Sequence, residues 1–295
     1  MATEADRQLV RRMDADVSRV IRKGLTSARQ IGARAERAAV KAYRQGLDYG
    51  AAVTTEMEAL TELLADAMLL ARLMGMKRAI ASRPVDMRRS PYTTMLRNLA
   101  FLWGADQLAL RHAQEFSIAE AELTVAQTGQ LLRRRLDQAA TVVTMQGLHV
   151  REGTKLFHQV FRASGLVPRN SFTAQNLLRT QAQMSYATGR YAADQDPAVQ
   201  KRLWGYTYAT AGDEAVRLNH AALDGMTLPK DDSRWETMWP PNGWSCRCQA
   251  IPVFDERPVT KPDATVTIGG AEVVPGPDKG WAFHPGRNGR TGLAA

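Results

Sequence analysis

Cys246 and Cys248 are the only cysteines in a chain of 295 residues, and a single Arg separates them. On an extended strand that spacing sends both thiols to one face. A disulfide between them would be strained, because strand Cα atoms at that spacing approach the limit a disulfide can span. Two thiols on one face are half of a zinc site. His220 is the third ligand on offer, Asp224 lies one helical turn further on, and the fourth position would fall to Asp213, His284 or water. Such a set with an open coordination position would suit a zinc-dependent hydrolase or nuclease. The competing reading makes the thiols small buried hydrophobes, with His220 hydrogen-bonded to a backbone carbonyl or a carboxylate. The pattern favours that second reading, since one ligand of a closed site is missing. No cofactor is then expected, and zinc is the one metal the residues suggest.

The stretch from His220 to Cys248 also holds Trp235, Trp239 and Trp244, the pair Asp231-Asp232, and the turn Pro240-Pro241-Asn242-Gly243. Adjacent carboxylates point apart unless the loop curls, so the Asp pair reads as a turn with a helix N-cap rather than as a catalytic dyad. Indole rings interleaved with prolines offer rigid, flat apolar area, which suits a loop locked against its own domain or a partner. The chain carries no phosphate loop, nucleophile elbow, HExxH or dinucleotide fingerprint.

Around these residues the sequence predicts two textures. Residues 1–150 read as basic and helical, with helices over Ala5–Gln45, Ala51–Ile80 and Tyr92–Gln146, the last with breaks suggested at Gly104 and Gly129. Residues 151–290 read as a compact mixed α+β part, followed by a short tail at 291–295. Its predicted elements are helices over Arg151–Ala163, closed at Gly165, and Thr173–Ala193, capped by Asn170 or Ser171. A strand over Leu203–Thr210 and a short helix over Ala215–Ala222 capped by Asp213 follow. A second strand over Cys246–Val253, a hairpin about Gly269-Gly270 and an extended tail from Pro275 complete the reading. The fold class is α+β, with a long helical first half.

A formal charge of +9 and a pI of 9.8 point toward a polyanionic neighbour such as DNA. Arg133-Arg134-Arg135 is the densest cationic run on the predicted helices, and phosphate contacts need only exposed Arg and Lys. A solvated helix face with scattered cations is the alternative. No run of about 18 apolar residues appears, so no membrane span or membrane partner is expected. The first twenty residues interleave acids and bases, unlike a signal peptide. With two cysteines there is no disulfide framework, and a reducing compartment is the expected home.

One further pattern is specific. Arg179-Thr180, Ser185-Tyr186-Ala187-Thr188-Gly189-Arg190-Tyr191, Arg217, His220-Ala221-Ala222-Leu223-Asp224-Gly225 and Asp231-Asp232 occur in that order. Trp235, Pro240-Pro241-Asn242-Gly243, Cys246-Arg247-Cys248 and Gly280-Trp281-Ala282-Phe283-His284-Pro285-Gly286 complete it. This ordered set resembles the phage Mu protein F-like family over about residues 150–290. The resemblance implies a minor head protein of a tailed double-stranded DNA phage or prophage, acting in head morphogenesis at the portal vertex. It also implies the portal, scaffold or major capsid protein and packaged DNA as partners, the capsid interior as location, and the host cytoplasm during assembly. Arg217, Asp224, Gly225, Asp232, Trp235, Pro240, Pro241 and Gly243 would then be architectural rather than catalytic.

Overall fold

The computed structural model describes residues 1–84, 87, 107–168 and 170–287. Five long helices dominate it: α1 (Glu4–Arg44), α2 (Tyr49–Ser82), α3 (Gln107–Met145), α4 (Val150–Ser164) and α5 (Phe172–Asp194). Val10, Met13, Val17 and Val20 recur three and four residues apart on α1 and are all buried, as an apolar stripe facing a core must be. Helix α2 ends two residues before Pro84, whose ring disfavours helical geometry in the residue before it. Helix α3 runs through Gly129, where a break was expected. There a Cβ would stand 3.3 Å from Met57 of α2, so this glycine serves close packing and does not end a helix. The predicted start at Tyr92, the break at Gly104 and the tail at 291–295 lie outside the described residues.

Helix α4 begins with a cap that composition does not reveal. The His149 ring accepts from the Arg151 amide at 3.3 Å, and Glu152 accepts from the His149 amide at 3.0 Å, which closes a capping box. The helix ends at Gly165, whose φ of 71° is the left-handed stop that glycine permits. The Phe172 amide that opens α5 donates to Asn170 at 3.3 Å.

A one-turn helix α6 (Pro197–Gln200) leads into the three-stranded antiparallel sheet, ordered β2 (Thr227–Pro229), β1 (Gly205–Ala209), β3 (Gln249–Val253). Tyr206 sits opposite Leu228 on one side and Pro252 on the other, while Thr207 faces Thr227, their hydroxyls 2.9 Å apart. Strand β1 is buried along its whole length, as the centre of a sheet covered on both faces must be. Two short helices, α7 (Leu218–Ala221) and α8 (Trp235–Met238), and a hairpin of β4 (Val266–Ile268) and β5 (Ala271–Val273) complete the α+β architecture. Gly269 and Gly270 turn the hairpin at φ 58° and 83°, both in the left-handed region its two-residue loop requires.

Three local expectations need correction. The second strand starts at Gln249, so the cysteines lie on the irregular segment between the Trp244-Ser245 turn and the strand. The short helix starts at Leu218 with Arg217 before it, because Asp213 caps only the preceding turn, accepting from the Ala215 amide at 3.1 Å. The segment after Pro275 is irregular but not free: Trp281, Phe283 and His284 are all buried.

The chain forms two compact units, one of Met1–Arg19, Leu70–Leu110 and Thr180–Ala295, the other of Val20–Leu69 and Arg111–Arg179. The change of texture near residue 150 falls inside the second, so composition and compactness divide the chain at different places. In the second unit Phe157 of α4 is fully buried against Tyr43 and Tyr49, at ring separations of 4.4 and 5.1 Å. In the first, α2 and α5 cross backbone to backbone. A Cβ at Gly75 would overlap the Tyr186 carbonyl, and one at Gly189 would overlap the Arg72 carbonyl. Beside that crossing Asp16 of α1 is buried and bridges it to both helices, accepting from Arg78 at 2.8 Å and from the Tyr186 hydroxyl at 3.0 Å.

Candidate functional site

The first unit brings together the residues that the sequence marked as metal-capable. His220 sits in α7, and Cys246 and Cys248 flank Arg247 on the approach to β3. The approach is bent by Gly243 and by Ser245, a non-glycine residue at φ 55°. That left-handed geometry is costly for serine, and the bond from the Ser245 amide to the Thr180 hydroxyl at 3.0 Å helps hold it. Arg247 turns outward and pairs with Asp213 at 2.5 Å. The thiols turn inward, 3.7 Å (Cys246) and 4.0 Å (Cys248) from Nδ1 of His220. The ligand-capable atoms of His220, Cys246 and Cys248 lie within 4.8 Å of one another, and all three residues are buried. They gather as the spacing suggested, although the thiols sit on an irregular segment just before the strand and not within it.

On its other side His220 meets a residue that sequence reasoning passed over. Nε2 lies 3.3 Å from a carboxylate oxygen of Asp278, close enough for charge contact but without the alignment of a hydrogen bond. Asp278 is itself held by Asn219 at 3.1 Å and by Arg217 at 3.3 Å, and its amide donates to the Asn242 carbonyl at 2.8 Å. A Cβ at Gly243 would overlap that carboxylate, so the glycine of the Pro-Pro-Asn-Gly turn is what lets Asp278 approach. Only the nearness of Asp278 to Gly280-Trp281 could have pointed to it.

Electrostatics at the thiols are unequal. Burial pushes Cys246 up, yet hydrogen bonds from Cys248 and His220, with the Asn242 amide, outweigh it and hold this thiol well below its ordinary value. Cys248 is raised by its hydrogen bond to Cys246 and by burial. Beside them the Tyr208 hydroxyl is buried next to Cys248, and burial followed by the charge of the two thiols pushes its pKa well above its ordinary value. The space adjoining His220 and the thiols holds about 20 Å³, room for one water and no substrate. The trio can therefore chelate or act as a packed hydrogen-bonding cluster, but a nucleophilic Cys–His pair here would meet nothing to attack.

The remaining motif residues are not gathered at this centre. Asp224 accepts from the amide and hydroxyl of Thr210, both at 2.9 Å, from Arg7 at 3.0 Å and from the Ala2 amide at 3.1 Å. It ties the end of β1 to the start of α1 and is no ligand. Gly225 follows at φ 87°, its amide bonded to the Tyr208 carbonyl at 2.8 Å. Asp232 pairs with Arg234, which lowers its pKa through a hydrogen bond and charge, in a turn rather than a catalytic pair. Trp235 is fully buried, its indole donating to the Pro229 carbonyl at 3.0 Å. Pro240-Pro241 is a cis peptide. Arg190 is buried and reaches Gln249 of β3 at 3.3 Å. In the second unit Arg133, Arg134 and Arg135 are all exposed, between the buried Leu132 and Leu136.

His284 is not a ligand either: it stacks on Trp239 at 4.3 Å, and its Nδ1 accepts from the Gly286 amide. Burial, then the charge of Arg287, pushes its pKa down to about 3. Below the unfolded value of about 6.5 the unfolded chain takes up a proton that the fold refuses, so this group's stability is present above pH 6.5 and lost as pH falls toward 3. The variant His284→Gln is expected to lose about 3 kcal/mol less stability than the parent between pH 6.5 and 4, as read by urea unfolding at each pH. Parallel acid limbs would show that His284 is solvated.

Comparison with known proteins adds a family. Residues 134–251 match the model described as Phage Mu protein F like protein. Over 160 residues the chain is 28% identical to the Mu-like prophage FluMu F protein of Haemophilus influenzae, covering 52% of this chain and 37% of that protein. Over 172 residues it is 28% identical to the putative capsid assembly protein F of Escherichia phage Mu, covering 52% of this chain and 36% of that one. The match thus spans little more than a third of these relatives' length. No solved structure matches the chain. The matched segment holds Thr180, Arg217, His220, Asp224, Trp235 and both cysteines, and across residues 134–251 the chain is similar to the phage Mu protein F like family.

Proposed function

We propose that this chain is a minor head protein of a tailed double-stranded DNA phage or prophage, working in head morphogenesis at the portal vertex and not as an enzyme. The observation that carries this reading is the family match, which falls on the residues that build the buried framework around His220 and Trp235. The relative in phage Mu is named a putative capsid assembly protein. The closed surroundings of the thiols support a structural role over the alternative of a zinc-dependent hydrolase on Cys246, Cys248 and His220. The portal, scaffold or major capsid protein are the partners proposed, and the capsid interior is the place. No described helix is long and apolar enough to cross a membrane.

Contact with packaged DNA is the second part of the proposal. A surplus of nine positive charges displaces counterions from phosphates without reading bases. Arg133, Arg134 and Arg135, successive on one helix and all exposed, fan out around it, which suits a disordered array of phosphates better than a shaped pocket. Replacing all three with Ala is expected to flatten the slope of log affinity for duplex DNA against log salt by roughly 2 to 3, about 0.9 for each phosphate no longer neutralised. An unchanged slope would remove these arginines from the interface. For the assembly role, a phage lacking this chain should yield few infectious particles, with yield restored by expression in trans. Normal yield without it would overturn the proposal.

A further inference from the structure

Independently of the head-assembly reading, we infer that His220 Nδ1 and the sulfurs of Cys246 and Cys248 bind one zinc ion, with water as the fourth ligand, and that the ion is structural. Geometry carries the argument furthest. With Zn–S bonds of about 2.3 Å and Zn–N bonds of about 2.0 Å, tetrahedral angles place sulfur and nitrogen about 3.6 Å apart. The two sulfur–Nδ1 separations here are 3.7 and 4.0 Å. Three ligand atoms therefore already stand near the corners of the polyhedron, held by α7 on one side and by the Gly243–Ser245 bend on the other.

The surroundings fit a cation better than a packed hydrophobic cluster. Asp278 stands 3.3 Å from His220 Nε2, so a carboxylate lies behind the ring on one side while Nδ1 faces the thiols on the other. A carboxylate behind a ligating imidazole raises its basicity and fixes its orientation. Asp278 has no other cation in contact than Arg217 among the described residues. The Tyr208 hydroxyl is buried beside Cys248 and can donate to a zinc-bound thiolate. The Asn242 amide already points to Cys246.

Charge and chemistry agree. Two thiols lose their protons, two Zn–S bonds form, and the two thiolates cancel the charge of the ion, leaving a neutral centre that burial does not penalise as it would a bare cation. Thiolate with imidazole selects zinc over magnesium or calcium, which prefer oxygen. Asp213 and Asp224 are committed to Arg247 and to Arg7 with Thr210, and His284 to Trp239. The fourth ligand falls to water, for which the adjoining space of about 20 Å³ has room. The same confinement excludes a substrate, so the ion clamps α7 to the entrance of β3 rather than performing hydrolysis.

The test uses the full chain, produced with zinc in the medium and dialysed against metal-free buffer. Elemental analysis should find one equivalent of zinc, released in step with titration of both thiols by a mercurial. Folded chain, judged by circular dichroism, without zinc would overturn the inference. His220→Asn and Cys246→Ser should each lose the metal. Because either variant can fail to fold, cobalt is also added to the stripped wild-type chain. A thiolate-to-cobalt charge-transfer band is expected, and its absence contradicts the site. Asp278→Asn should weaken zinc binding by about 10- to 100-fold while leaving the ligands in place. Asp213→Asn should keep the metal, and loss of zinc there in a folded chain would refute the ligand set.

Discussion

Trp235→Ala lowers the unfolding free energy by about 3–5 kcal/mol, the range for deleting a large buried aromatic. Trp235 has no exposed surface, meets Tyr206 edge-on at 5.9 Å and Trp239 at 5.5 Å, and anchors its indole N–H on the Pro229 carbonyl of β2. The cavity left behind would be walled by Tyr206 of the central strand and by Trp239, both buried. Trp235→Phe keeps most of the apolar volume but leaves the Pro229 carbonyl without its donor, so its cost should be about half as large. Denaturant unfolding of the full chain, followed by circular dichroism, reads both. A loss below about 1 kcal/mol for the Ala variant, the scale of an ordinary surface change, would mean that the aromatic cluster is not the core of this unit.

The second large effect is at Asp224. Asp224→Asn keeps the shape of the side chain but places an amide N–H₂ against donors on at least one side, since Arg7, the Ala2 amide and Thr210 all donate to the carboxylate. The expected cost is about 3 kcal/mol, intermediate between a lost hydrogen bond to charge and a broken buried pair, because Arg7 retains partial exposure that softens its loss. Arg7→Ala should cost clearly less, as it leaves the carboxylate with its Thr210 partners. If the two variants were equally damaging, Arg7 would be the whole of the interaction. Were Asp224→Asn neutral, the residue would not be the tie between β1 and α1 that its contacts describe.

These two residues also show what the sequence could and could not reveal. Long helices were legible because apolar positions such as Val10, Met13, Val17 and Val20 repeat at helical spacing, a signal that needs no partner. Trp235 and the Pro-Pro-Asn-Gly turn were legible as architecture, since rigid residues concentrated in one loop have little other use. Strand β2 was not, because three residues are too few for a period and Thr227 is recruited only by its register with Thr207. The continuation of α3 through Gly129 was missed for a related reason: a glycine that makes room for Met57 looks the same in sequence as one that stops a helix.

The candidate centre divides in the same way. His220, Cys246 and Cys248 were identifiable by chemical type, and the fold brings them together. The shared face of the thiols followed from the spacing, but the start of the strand was placed too early, at Cys246 instead of Gln249, beyond the bend at Ser245. Asp278 carried no signal beyond its nearness to Gly280-Trp281, as its role depends on a segment without regular structure folding back on Asn242 and Arg217. Asp213 and His284 illustrate the converse: both had the right chemistry, and Arg247 and Trp239 had prior claim on them.

The proposed role as a building part of the phage head is tested most directly by quantitative mass spectrometry of purified particles. It predicts peptides from both compact units in mature or precursor heads, at a copy number far below that of the major capsid protein. Particles of full infectivity that contain no trace of the chain at any stage of assembly would contradict it.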